Sequence, residues 1–405
     1  MNALLLAWRN VLRNRRRSLV TILITAVGCM SVLVASGFAA YTYEMVRDGA
    51  AREFGHLTIA QKDYFERDED TPMQYGMADY PSLRDELAQN PHVRRLLPRI
   101  ALSGLISNGD KSVIFLGNGA DVAAEAEIRD QFLELKEGSF AAPPGQDSLP
   151  AVLLGTDLAR SLGARPGAGL TLLAATTSGS INAIDVRVSG IVATGWRDVD
   201  KRLVYMNVAT AQHLLMTDRI STLAVYLDST DATPAMQAAL AKADPGHSYR
   251  PWWEQAFYYH AVRALYDRIF GLLGLIIAVL VFFSVSNTLA MAVVERTREI
   301  GTLRALGALP EEIVGQFLRE GALIGAIGAV IGMLLAGAVT LAMPHLGLMM
   351  PPPPGRSVGY PLLVDASLPV YLVVDAVIII LCAAAAWLVS RRAANKPIVE
   401  ALSHV

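Results

Sequence analysis

Four stretches of this chain carry almost no charge over lengths that match a lipid bilayer. Residues 18–41, 269–294 and 321–343 hold no Asp, Glu, Lys or Arg, and residues 368–390 hold one, Asp375. A bilayer core about 30 Å thick is crossed by about 20 helical residues at 1.5 Å each. Each stretch is therefore read as a membrane-spanning helix, and together they exclude a soluble enzyme. Charged residues make up 18% of the 405-residue chain, against about 25% in soluble domains. The first apolar run is too long for the core of a cleaved signal peptide and is read as an uncleaved anchor.

Lys and Arg in the short flanks set the orientation. Arg9, Arg13, Arg15, Arg16 and Arg17 precede the first span, and Arg391, Arg392 and Lys396 follow the fourth. Arg296, Arg298, Arg304 and Arg319 lie between the second and third spans, whereas the link between the third and fourth has only Arg356. Both termini are expected in the cytoplasm. The expected divisions are a cytoplasmic amphipathic start (1–17), span one (18–43), an outer domain (44–268) and span two (269–294). A cytoplasmic elbow (295–312), span three (313–343), an outer loop (344–367), span four (368–390) and a cytoplasmic tail (391–405) follow.

The segment 44–268 is long enough for its own core. It holds 22 basic and 29 acidic residues, leaving 13 and 8 for the rest of the chain. Strands are predicted at 56–61, 112–116, 151–154, 169–174, 185–192, 203–207 and 222–227. Helices are predicted at 81–90, from Thr156 or Asp157 to Leu162–Gly163, and at 233–243. The Pro- and Gly-rich stretch 141–149 reads as a loop or subdomain boundary. The fold class expected is an α-helical membrane protein with four transmembrane helices and a large α+β periplasmic domain, in two subdomains, between helices one and two.

Several chemistries lack their residues. Cys29 and Cys382, with seven scattered His, supply neither a disulfide framework nor a zinc pattern. The net charge of −2 gives no basic field for nucleic acid. There is no Walker-type phosphate loop, Gly109–Ser112 lacking the upstream glycine, and no GxSxG elbow. No catalytic residue or metal site is assigned. The acidic run Glu66, Asp68, Glu69, Asp70 lacks calcium-loop spacing and reads as a solvated loop. Asp375, about six residues inside span four, is a functional candidate by default, set against snorkelling or pairing with outer-loop groups. Trp252, Trp253, Phe257, Tyr258, Tyr259 and Tyr266 lead into span two. They read as an interfacial aromatic belt or as contacts for a lipid-like substrate. Gly321, Gly325, Gly328 and Gly332 recur at spacings of 4, 3 and 4, which permits close helix packing, within the chain or across a dimer.

The link between spans two and three carries the most specific pattern. Ile300, Leu303 and Leu306 at i, i+3 and i+6 read as the apolar side of a short helix. Gly307 can end it in a left-handed conformation. Pro310, with Glu311 and Glu312 in the first turn, opens the next helix. An ordinary connector held at the headgroups has the same outline.

Glu295, Arg296, Glu299, Ile300, Gly301, Leu303, Arg304, Ala305, Gly307 and Ala308 spell ER-x-x-EIG-x-LRA-x-GA. This resembles the signature of the FtsX/MacB/LolC–LolE permease family of ABC transporters (type VII, mechanotransmission). Trp8-Arg9-Asn10 with 13–17, the tail 397–402, and 158–172 in the outer domain resemble further family elements. Ala168 replaces the family's usual acidic residue after Gly167. The resemblance covers the whole chain and implies a permease subunit of the bacterial inner membrane, paired with a second copy or paralogue. A separate cytoplasmic ATPase dimer, itself carrying the ATP and Mg2+, would drive it through residues 295–308. It implies a non-catalytic chain with no cofactor of its own, with lipid and a periplasmic adaptor or chaperone as further partners. Three roles fit: a Lol-like permease extracting lipoprotein or another hydrophobic substrate from the inner membrane, MacB-like tripartite efflux of peptides, siderophores or drugs, and an FtsX-like activator of a periplasmic cell-wall hydrolase.

Overall fold

The computed structural model describes residues 3–13, 15–67, 69, 71–129, 133–140, 149–350, 359–395 and 397. Residues 141–148 of the expected loop lie outside this set, as do Asp68, Asp70, Arg356, Lys396 and the tail from Ile398. The chain divides into two compact units. One holds Met1–Tyr43, Val262–Met349 and Pro361–Val405; the other holds Glu44–Ala261 and Met350–Tyr360.

The first unit is helical. A short helix, Ala3–Arg13, buries Ala7 and Val11, with Val11 against Ile22 and Ile324. The four apolar runs lie in helices Arg15–Phe54, Phe257–Glu295, Pro310–Leu346 and Leu368–Ala394, each long and apolar enough to cross a membrane. The first continues eleven residues past Tyr43, the last residue of the expected span. Its polar final turns stay helical because Ala50 and Ala51 pack on Trp252 and Ala256. Among the spans, Cys29, Leu33, Val281, Val285, Leu289, Ala336 and Cys382 form a buried core, and Thr21 and Thr288 share a hydrogen bond of 2.5 Å.

Among the described residues, the main sheet of the second unit has ten strands. They are β1 (Leu57–Gln61), β2 (Val93–Ser107), β3 (Ser112–Gly119), β4 (Glu134–Gly138) and β5 (Ala151–Gly155), then β6 (Gly169–Ala175), β7 (Ile181–Ala193), β8 (Leu203–Met206), β9 (Thr222–Leu227) and β10 (His247–Pro251). β2 serves two sheets. Its first half pairs with β9, which continues to β1 and β10. Its second half pairs with β3 on one side and β6 on the other. From β3 the pairing runs through β8, β5 and β7 back to β6, closing a six-stranded ring, and β4 pairs only with β7. Gly104 is the residue of β2 where the ring closes; a Cβ there would collide with the Leu173 carbonyl.

Alternation explains the ring. Leu170, Leu172 and Ala174 of β6 and Ile184, Val186 and Val188 of β7 point inward, with exposed or half-buried residues between them. They join Phe115, Leu154, Val204 and Met206 in one core, where full burial of each large side chain contributes about 1.5–3 kcal/mol. Leu158–Gly163 forms a helix end, with Gly163 left-handed at φ +62°. Gly167 is also left-handed, at φ +93°. The Ala168 N–H donates to the Arg165 carbonyl at 3.0 Å and its carbonyl accepts from Val188 at 2.9 Å, so the turn forms without the family's acidic residue.

Strand β2, β4 and β10 and the helices Val122–Arg129 and Val208–Leu215 are absent from the expectations above. Within the acidic run, Glu69 accepts backbone N–H bonds from Met73 and Tyr75 at 3.1 and 3.0 Å, so this carboxylate fixes a turn.

A buried charge network lies under the end of helix Arg15–Phe54. Glu125, fully buried, accepts from Arg99 at 2.6 Å and from Arg129 at 2.9 Å. The same guanidinium groups donate to the carbonyls of Phe54 and Glu53, and Tyr226 donates to that of Arg52. Cations and donors thus satisfy the last carbonyls of a long helix, where its dipole is negative. Burial alone would raise the Glu125 carboxyl, but the two guanidinium groups outweigh it and hold it below the usual carboxylate range.

Candidate functional site

The elbow between the second and third spans is a nine-residue helix, Thr297–Ala305, set between two reversals. The second-span helix stops at Glu295, and Arg296 (φ −109°, ψ 11°) departs from helical geometry. Gly307 stands at φ +102°, a left-handed conformation that glycine adopts without steric cost. Pro310 starts the third-span helix, whose first turn carries Glu311 and Glu312. The Leu309 N–H donates to the Glu312 carboxylate at 3.1 Å.

Arg296 anchors this helix. Its side chain is 9% exposed, donates from Nε to Glu299 at 3.1 Å and lies 3.6 Å from the Glu320 carboxylate. Its guanidinium also sits 5.5 Å from the centre of the Phe317 ring, a cation–π distance. Glu299 faces Arg13 at 3.6 Å as well. The hydrogen bond from Arg296, ahead of the charge of Arg13, holds Glu299 below the usual carboxylate range. Glu295 accepts from Arg17 at 2.5 Å. Ile300 is buried with Val293, Ile313, Phe317 and Ala394, and Gly301 is buried beside it.

The expected apolar face divides. Ile300 is buried, but Leu303 is 39% and Leu306 81% exposed. At 100° per residue, each step of three falls 60° short of a full turn, so Leu306 lies 120° around the helix from Ile300. Leu309, beyond the reversal, is 61% exposed. The elbow therefore presents Leu303, Leu306 and Leu309 outward, together with exposed Arg298 and Ala305. Arg304 is half-buried. Sequence reasoning missed Thr297, whose hydroxyl donates to the Val293 carbonyl at 3.0 Å. It also missed Glu320, the carboxylate directly before the uncharged run of span three.

The four glycines pack within the chain. A Cβ on Gly321 would lie 2.5 Å from the Ala386 Cβ, and one on Gly325 would lie 2.9 Å from the Cys382 Cβ, both on the fourth span. On Gly328 it would meet Thr25 at 2.7 Å, and on Gly332 Cys29 at 2.6 Å, both on the first span. Span three is thus wedged between spans one and four. Among the described residues, no outer-loop group pairs with Asp375. It is 8% exposed and accepts from the Cys29 thiol at 3.2 Å.

The aromatic cluster is only partly outward-facing. Trp252 is buried, with Tyr259 and Trp253 edge-on to it at 4.9 and 5.6 Å. Tyr258 reaches Glu53 at 3.4 Å, and Phe257 opens the second-span helix. Tyr266 stacks with Phe38 and Phe270. Trp252 packs on Ala50, Ala51 and Ala256 at the polar end of helix Arg15–Phe54, while Trp253, Tyr258 and Tyr259 stay half-buried.

A family model described as the FtsX-like permease C-terminal matches residues 271–398. A second, described as the MacB-like periplasmic core domain, matches residues 18–243, more than half the chain. The chain is 31% identical over 251 residues to the lipoprotein-releasing system transmembrane protein LolC of Neisseria meningitidis, covering 58% of this chain and 59% of that protein. It is 27% identical over 233 residues to the macrolide export ATP-binding/permease protein MacB of Nitrobacter winogradskyi, covering 54% of this chain and 35% of that protein. The match thus spans less than two thirds of either relative's length. Among solved structures, the periplasmic region of MacB from Actinobacillus actinomycetemcomitans aligns at 17% identity and a TM-score of 0.35, over 50% of this chain and 92% of that one. One family model takes in the first span with most of the outer domain, and the other takes in the remaining spans with the elbow; the chain belongs to the FtsX/MacB family of ABC-transporter permeases, of the LolC/LolE and MacB type.

Proposed function

We propose that this chain is the permease subunit of an inner-membrane transporter driven by a separate cytoplasmic ATPase dimer, and that the elbow receives the ATPase. One observation carries this reading. The helix Thr297–Ala305 is fixed to the spans through buried Arg296 and Ile300, yet turns Leu303 and Leu306 outward. Large apolar side chains on a polar-flanked protrusion favour a protein partner over water, and rigid anchoring passes a push on the elbow into spans two and three. The Lys and Arg pattern supports cytoplasmic termini. ATP and Mg2+ would reside in the partner. The second-span helix exposes Leu272, Leu275, Leu280 and Phe283, which suits lipid and a second permease.

For the substrate, the 31% identity to a lipoprotein-releasing protein supports extraction of lipoprotein, or another hydrophobic cargo, from the inner membrane towards a periplasmic chaperone. The relative named for macrolide export supports efflux through a periplasmic adaptor as the second reading.

Affinity purification of the tagged full chain in mild detergent, followed by mass spectrometry, tests the partner. The expected result is a co-purifying ABC ATPase that is lost from Leu306→Asp, whose 81% exposure leaves the fold intact. Reproducible absence of any ATPase from the wild-type chain sinks the proposal. Depletion of the protein then separates the substrates. Retention of lipoproteins in the inner membrane supports the first reading, and sensitivity to exported small molecules with normal lipoprotein sorting supports the second.

A further inference from the structure

The turn between the N-terminal helix and the first span holds a feature that the elbow does not explain. Arg13, Arg15, Arg16 and Arg17 line one open cleft of about 300 Å³, with Glu295 as its single carboxylate. Arg17 pairs with Glu295 at 2.5 Å, and Arg13 reaches Glu299 at 3.6 Å. Among the described residues, no carboxylate lies within ion-pair distance of Arg15 or Arg16. With Arg17 paired to Glu295 and Arg13 to Glu299, two guanidinium charges, those of Arg15 and Arg16, are left uncompensated, and the guanidinium groups repel one another unless an anion enters.

The level of the cleft in the membrane follows from its neighbours. The uncharged run of span one begins at Ser18, directly after Arg17. On the preceding helix, Ala7 and Val11 are buried while Trp8 and Leu12 are each 47% exposed. An amphipathic helix with an outward Trp and Leu next to a span lies at the headgroup boundary, where lipid phosphates are the abundant anions. The planar guanidinium fork matches phosphate oxygens in a bidentate way that a lysine ammonium does not.

We infer that this cleft binds the phosphate of an anionic phospholipid, with Arg15 and Arg16 as its principal ligands and Arg13 and Arg17 at its rim. The two rim arginines also hold Glu295 and Glu299, so the lipid phosphate and the elbow share guanidinium groups. Headgroup charge in the surrounding leaflet thereby sets how tightly the elbow is tied to the N-terminal helix. Glu295 acts as an internal competitor for the same donors.

The test uses the full chain in detergent, titrated with phosphatidylglycerol and read by native mass spectrometry, with phosphatidylcholine and inorganic phosphate as separate arms. Phosphatidylglycerol should be retained one to one. Arg15→Gln/Arg16→Gln should weaken it about tenfold or more, as expected for loss of two charge-assisted contacts. Arg9→Gln, which removes an exposed basic residue outside the cleft lining, should leave binding unchanged and so separates a local site from general basicity. Glu295→Gln should strengthen binding several-fold, because the competing carboxylate is gone. Three results would overturn the assignment: equal retention of phosphatidylcholine, equal losses in the Arg9 and Arg15/Arg16 variants, or saturation by inorganic phosphate that excludes the lipid and marks a soluble ligand. Circular dichroism of each variant confirms that the helices persist.

Discussion

Replacing Glu125 by Gln should destabilise the outer unit more than any other single isosteric change in it. The glutamate is fully buried and takes hydrogen bonds from Arg99 and Arg129 at 2.6 and 2.9 Å. The amide keeps the volume and one acceptor oxygen but removes the charge. Two buried guanidinium groups then face each other with only carbonyl groups and a tyrosine hydroxyl as acceptors. Breaking a buried pair by removing one partner costs about 3–5 kcal/mol. For a unit of this size, at about 2–4 °C per kcal/mol, the midpoint should fall by roughly 6–20 °C. Three of the five tryptophans, Trp196, Trp252 and Trp253, lie in the outer unit, so thermal unfolding of the full chain in detergent by tryptophan fluorescence is weighted towards that region. A midpoint within 2 °C of wild type would refute the reasoning and show that water, not Glu125, balances the two arginines.

The same network sets a pH dependence. The Glu125 carboxyl is held below its ordinary value in the folded protein, so its contribution is complete above the unfolded pKa of about 4.3 and disappears as pH falls through the lower folded value; fluorescence midpoints should drop through that acidic window, and less so in Glu125→Gln. Gly332→Ala should cost about 1–3 kcal/mol by overpacking against Cys29, whereas Gly337→Ala, with open space around its Cβ position, should be neutral or stabilise by up to about 1 kcal/mol. Maleimide labelling of the buried Cys29 should therefore accelerate only in the former, and equal labelling in both removes the packing argument. Glu299→Ala or Arg304→Ala should uncouple ATP hydrolysis in the partner from work in the outer domain, with unchanged helical content; normal transport and ATPase stimulation in both variants would remove the elbow assignment.

What the sequence revealed follows from which forces leave a local trace. Spans 321–343 and 368–390 announce themselves because a bilayer demands an unbroken apolar run. The elbow is legible because reversals require Gly307 and Pro310 at fixed places. β2 is not legible. Its residues, VRRLLPRIALSGLIS, include three arginines, a proline and two serines. They form a strand because Arg99 meets Glu125, 26 positions later, and because Gly104 lets β6 approach. Closure of the ring likewise depends on pairing between β2 and β6, some 65 positions apart, for which no local spacing codes. The partner of Asp375 is illegible for a related reason: Cys29 lies 346 residues away. On the elbow, an i, i+3, i+6 count suggested one face, but three-residue steps drift around a helix, which placed Leu306 on the outside.

Closing six strands on themselves has a consequence for a domain expected to fold outside the cytoplasm. Unpaired strand edges template aggregation, and closing the ring pairs most of its strand edges. Among the described residues, β10 and β4 are the terminal strands of the sheet. β4 reads ELKEG, with Glu134, Lys136 and Glu137 exposed along it, so an incoming strand meets charge at most positions. β10 is five residues long and ends at Pro251, which has no N–H to offer. The outer unit therefore offers little to a neighbouring strand, and crowded copies of this chain can stand side by side without zipping together.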